Sequence, residues 1–160
     1  MCKIIFFDSE EQYTDMNFVG TQSEPEFVIG SRAVANAQKN IKYADDIQES
    51  MNKNLHLKEY INDKIRQIQF IYLLYPHDWL SGAKKERKYY SRKDKIFYID
   101  ISFPDFDEFC RADEIQAKKI MLEQTLRAIE KYLPKVKEFN YTKFYSDLIE
   151  LFKEQKLIAD

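Results

Sequence analysis

Glycine is scarce in this chain, with three residues in 160. A phosphate-cradling loop of the GxGxxG or Walker type needs glycines grouped at a strand-to-helix turn, and no such group is present. Proline is also sparse, at four, so neither a flexible linker nor a disordered segment is expected. There are only two histidines, His56 and His77, and they form no helical pair at metal-ligand spacing. The two cysteines, Cys2 and Cys110, are far apart and read as reduced thiols in a reducing compartment. No apolar signal segment precedes Cys2. The most apolar run, Ile68 to Tyr75, is interrupted by Gln69 and is far shorter than the roughly 20 residues needed to cross a bilayer. A cytoplasmic protein without membrane contact is expected.

These absences also bear on catalysis. Nucleophilic chemistry needs a nucleophile, a base and an orienting group brought together. His77, in Pro76-His77-Asp78-Trp79, reads as a loop residue beside a buried tryptophan, and Cys110, beside Phe109, reads as a small core residue. Carboxylates are plentiful at Asp45-Asp46, Asp105/Asp107/Glu108 and Asp113-Glu114. Oxygen ligands suit hard cations, but the 105–108 stretch lacks the glycine and length of a calcium-binding loop. No catalytic residue, cofactor or metal ligand is therefore assigned, and the chain is not expected to be an enzyme.

What the chain does have is an apolar share of 44% with twelve Phe and eleven Tyr, enough to build one core over residues 1–160 as a single domain. Short strands are expected at 3–7 and 27–29, separated by a polar loop from Asp8 to Asp15. Ser31 is a plausible N-cap for a helix from Arg32 to about Asn52, on the stripe Val34, Ala37, Ile41, Ala44, Ile47 and Met51. A central strand covered on both faces is expected at 65–75. Phe97, Ile99, Ile101 and Phe103 alternate with Tyr98, Asp100 and Ser102, as in an antiparallel strand with one wet face. Asp113 should cap a helix with the stripe Ile115, Leu122, Leu126, Ile129 and Leu133, stopped by Pro134. Asn140 should cap a last helix with the stripe Tyr141, Phe144, Tyr145, Leu148 and Phe152. The order predicts an α+β fold: a mainly antiparallel sheet, helices packed on one side, and two C-terminal helices.

The net charge of −2 conceals three local imbalances. Residues 1–30 hold six acids against Lys3, and residues 100–114 hold six against Arg111. Residues 84–95 reverse the sign, with seven cations, two acids, and Tyr89 and Tyr90 among them. Cations on phosphates and aromatics on bases would make 84–95 a nucleic-acid-binding module, although a sequence pI of 5.8 is low for that class. The simpler reading of this run is a solvated hairpin or a lysine-protected edge strand.

The strand Phe97–Phe103 with Asp100, the connector Asp105-Phe106-Asp107-Glu108-Phe109, the helix to Leu133, and Phe139-Asn140-Tyr141-Thr142-Lys143-Phe144-Tyr145-Ser146-Asp147 together resemble something known. Over roughly residues 65–150, with Pro76 and Trp79, the chain resembles the small α+β immunity proteins of bacterial polymorphic-toxin and contact-dependent inhibition systems. The resemblance implies a protein that binds and blocks a cognate toxin domain, often at a basic nuclease active site. On that reading the expected partner contacts are Asp8, Glu10, Glu11, Asp105, Asp107 and Glu108, with Phe106 as anchor. The basic run could instead meet an acidic toxin surface.

Overall fold

The computed structural model describes residues 13–18, 25–34, 44–74, 88–103, 105 and 106–158. Five strands form one sheet in the order β1-β2-β3-β5-β4: β1 Tyr13–Phe18, β2 Phe27–Val34, β3 Gln67–Leu74, β4 Lys88–Ser91 and β5 Ile96–Ser102. The described residues include four α-helices: α1 Ala44–Asn54, α2 Phe106–Arg111, α3 Glu114–Tyr132 and α4 Tyr141–Glu154.

The sheet is mixed and mostly parallel, which corrects the expectation of a mainly antiparallel one. β2 pairs with β3, and β3 with β5, in parallel, while β1–β2 and β4–β5 are antiparallel. Alternating burial along a strand reports which faces are covered, not which way the neighbour runs. Direction is set by the connection. Parallel strands need a long crossover, and α1 lies in the one between β2 and β3.

Several local expectations shift with this topology. Residues 13–15, expected in a loop, lie in β1. β2 runs on through Ser31, which pairs with Tyr72 of β3 and so cannot cap a helix, and the first described helix is Ala44–Asn54. The expected strand at 3–7 lies outside the described residues. β3 is central and covered on both faces, with Ile68, Phe70 and Tyr72 on one side and Ile71 and Leu73 on the other, all buried. Asp100 of β5 is 7% exposed, so the face expected to be wet is closed there. Cys110 is buried, as expected of a small core residue. Cys2 lies outside the described residues.

The helix signals in the C-terminal half are met. Asp113 accepts a hydrogen bond from the Gln116 amide at 2.8 Å, and Asn140 accepts one from Lys143 at 3.2 Å. The α-helix ends before Pro134, in a short 3-10 turn, Leu133–Lys135. The α3 stripe is rotated from the expected one. Ile115 is 83% exposed, and the side chains facing inward are Ala117, Met121, Leu122, Thr125, Ala128, Ile129 and Tyr132. Small residues at 117 and 128 let the helix approach the sheet closely. Thr125 of α3 and Phe144 of α4 meet the same sheet face, at Tyr72 and Phe27.

Helix α1 is also bonded to the sheet. Among the described residues, β1 pairs with β2 only from Gly30 onward. Ahead of that point two amide side chains of α1 bond the backbone of β2. Asn52 accepts from the Phe27 N–H at 2.8 Å and donates to the Phe27 carbonyl at 2.7 Å. Gln48 accepts from the Ile29 N–H at 2.6 Å. Gln48 is buried, so Gln48→Leu is expected to leave the Ile29 N–H unpaired and lower stability by about 1–3 kcal/mol. Asn54→Ala, on the exposed side of the same helix, should change it by less than about 0.5 kcal/mol. Urea midpoints decide this, and equal midpoints for the two variants would refute this role of Gln48.

Candidate functional site

No described helix is long and apolar enough to cross a membrane. Among the described residues, no group of three or more His, Cys, Asp or Glu side chains is placed to hold a metal ion. His56 is exposed, with its Nδ1 3.9 Å from Glu26, and His77 lies outside the described residues. The described surface instead offers two charged features of opposite sign.

The acidic one is built on α2. Its sequence alternates between anchoring and display. Phe109 and Cys110 are buried, and the Phe109 ring packs edge-on against Phe103 with centroids 4.6 Å apart. Phe103 in turn packs against Tyr72 at 5.5 Å. Asp105 caps the helix, its Oδ1 accepting from the Glu108 amide at 2.9 Å. Asp105, Asp107 and Glu108 are exposed, and carboxylates in the first turn are favoured by the amide dipoles there. None of the three forms an ion pair among the described residues. Asp113 and Glu114 are also exposed, at the start of α3. Phe106 is the first residue of α2. Asp8, Glu10 and Glu11 lie outside the described residues, so they are not joined to this patch.

The basic feature is a groove of about 550 Å³ beside the β4–β5 hairpin. Its floor is Ile61, Ile65, Phe97 and Val136, and Tyr90 forms one wall. The cations at its rim are Lys64, Arg92, Lys135 and Lys137. Only Tyr90 and Arg92 belong to the basic run singled out in the sequence. Lys64, Lys135 and Lys137 come from distant segments, so no local charge count could group them. The hairpin is the expected solvated one, and its Lys88, Tyr89 and Tyr90 are exposed.

The segment 139–147 is structural. Phe144 is buried and contacts the rings of Phe27, Tyr60 and Phe139, with centroids 6.0, 5.2 and 5.4 Å away. The Tyr60 hydroxyl donates to Asp147 Oδ2 at 2.8 Å, and burial followed by that bond pushes the phenol above its ordinary range. The Tyr145 hydroxyl donates to Glu130, which, with burial, raises its pKa to about 12.

Comparison with curated proteins and with solved structures gives no match. Residues 25–154 match the family model described as Immunity protein 44, a span that contains both charged features and excludes Asp8, Glu10 and Glu11. Immunity proteins neutralise toxins, each serving a cognate toxin partner, and are typically non-catalytic; this chain belongs to the Immunity protein 44 family.

Proposed function

We propose that this chain neutralises its toxin by forming a stoichiometric complex, with Asp105, Asp107 and Glu108 contacting a basic toxin surface of the kind a nuclease active site presents. The family match is the observation that carries the reading. Support for the surface comes from three exposed carboxylates without ion-pair partners among the described residues, on a short helix held by Phe109. Such charges speed encounter and fix orientation more than they add affinity. Phe106 remains the proposed anchor, and Asp8, Glu10 and Glu11 remain proposed contacts.

The test uses a candidate toxin domain, to be sought in the gene neighbouring this one. Co-expression should rescue growth, and calorimetry should give one inhibitor per toxin. Asp107→Lys and Glu108→Lys reverse the charge at two positions, and Asp105→Asn removes it at the third while keeping an N-cap residue of equal quality. The triple variant should bind roughly ten- to a hundredfold more weakly, with a smaller loss on adding salt than the wild type shows. Unchanged affinity would remove this surface from the complex, and failure of the wild type to rescue would remove the toxin-binding reading.

A further inference from the structure

We propose that the basic-rimmed groove is a second docking site, which takes an acidic protein segment carrying one apolar side chain. The inference rests on the toxin-binding reading only for the source of that segment, the toxin itself.

Charge and shape both point to such an occupant. All four rim cations are exposed, and no carboxylate is among the described residues that line the groove. Lys64 is paired with Glu138 at 2.6 Å, but Arg92, Lys135 and Lys137 have no ion pair among the described residues. The three cations outside that pair bring positive charge to the edge of an apolar floor, where an arriving anion would offset it. A partner that brings carboxylates to the rim and an apolar group to the floor satisfies both parts.

The groove is also held ready. Three segments remote in sequence form it, and each is tied to another. The Tyr90 hydroxyl donates to the Lys64 carbonyl. Arg66 donates its backbone N–H to the Lys95 carbonyl at 2.8 Å and its Nε–H to the Asp94 carbonyl at 2.7 Å. The Lys64–Glu138 pair joins the 61–66 segment to the turn after α3. Glu138 itself sits at φ 64°, in the left-handed region, so the chain accepts backbone strain beside the groove. A site fixed in advance loses less freedom when it binds.

Other occupants fit less well. Single-stranded nucleic acid needs exposed ring faces in series. Tyr89 and Tyr90 are adjacent in one strand and point to opposite faces, and Tyr89 is stacked on Tyr98 with centroids 4.5 Å apart. The floor is mainly aliphatic. A small-molecule site would converge buried polar groups on its ligand, whereas the charged groups lining this groove are exposed cations at its rim.

Titration of the isotope-labelled full chain, followed by amide chemical shifts, tests the proposal without the toxin. The probes are a short peptide of Glu and Asp around one central Phe, the same peptide with Ser in place of Phe, and oligothymidylate. The Phe peptide should shift the amides of Ile61, Ile65, Tyr90, Phe97 and Val136. Replacing its Phe by Ser should weaken binding about tenfold, and so should Lys135→Glu with Lys137→Glu in the protein. Both lysines are exposed, and unchanged dispersion of the remaining amides would show that the variant folds. Absence of those shifts, equal binding of the Ser peptide, or tighter binding of oligothymidylate at the same amides would each overturn the proposal. Because no toxin is present, a failure here is separate from a failure of the rescue experiment.

Discussion

Phe144→Ala is expected to lower stability by about 3–5 kcal/mol, the range for truncating a buried aromatic side chain to a methyl group. Phe144 is fully buried at the meeting point of β2, the turn before β3, and the start of α4. Its ring is stacked on Phe27 and lies edge-on to Tyr60. The cavity cannot close easily, because Tyr60 is fixed from two sides. Its hydroxyl is bonded to Asp147, and its carbonyl accepts from the Asn140 amide at 2.8 Å. Tyr141→Ala, a half-buried position on the same helix, should cost less. Urea unfolding of both variants checks the ranking. A loss under about 1.5 kcal/mol at Phe144 would mean that the cluster relaxes around the void. The result bears on function indirectly. Much of the segment that carries the family resemblance is then scaffold, and contact residues must be sought elsewhere.

Stability should fall steeply above about pH 10, with Tyr72 responsible for a separable part of the slope. Tyr72 is fully buried between β3 and α3, and its hydroxyl lies 2.5 Å from Thr125 Oγ1. Thr125 donates its own proton to the Met121 carbonyl at 2.7 Å, so Tyr72 is the donor of the pair. Burial pushes the Tyr72 phenol above its ordinary range. The folded state therefore keeps a proton that the unfolded chain releases near pH 10. The contribution is fully present below that pH. It declines by about 1.4 kcal/mol for each unit above it, as long as the buried phenol stays protonated. Tyr60 and Tyr145 are displaced in the same direction and add to the slope. Tyr72→Phe should cost about 1 kcal/mol at neutral pH through the lost hydrogen bond, and should make the alkaline decline shallower by about one tyrosine's share. Urea unfolding from about pH 8 to 11 measures both. Parallel curves for wild type and variant would show that Tyr72 does not contribute to the alkaline slope.

The two charged features differ in how far they can be read from sequence. Asp105, Asp107 and Glu108 sit within four positions of one another, so the acidic patch is visible as a string of letters. Its display is visible too, because Asp105 is a good cap and Phe109 a good anchor. The groove is not visible in that way. Lys64, Arg92 and Lys135 are separated by tens of residues, and they converge only because β3 lies beside β5 and the turn after α3 folds against both. Ile115 makes the same point within a single helix. It fits a periodic apolar stripe, yet it is exposed, because Ala117, Met121, Thr125 and Ala128 give the closer approach to the sheet.

By itself, the amino-acid sequence determined the α+β class, the family resemblance, the caps at Asp113 and Asn140, the stop at Pro134 and the buried central strand. Each of these rests on neighbours within a few positions, where backbone hydrogen bonding and side-chain periodicity act. Only the tertiary structure decided that the sheet is mostly parallel, that Gln48 and Asn52 bond the backbone of β2, that Asp100 is buried, and that four cations ring one apolar floor. The physical reason is common to all four: strand direction, side-chain bonding to a strand, burial of a polar face and convergence of charge depend on which distant segments meet, and that is settled by crossover connections and packing of the core.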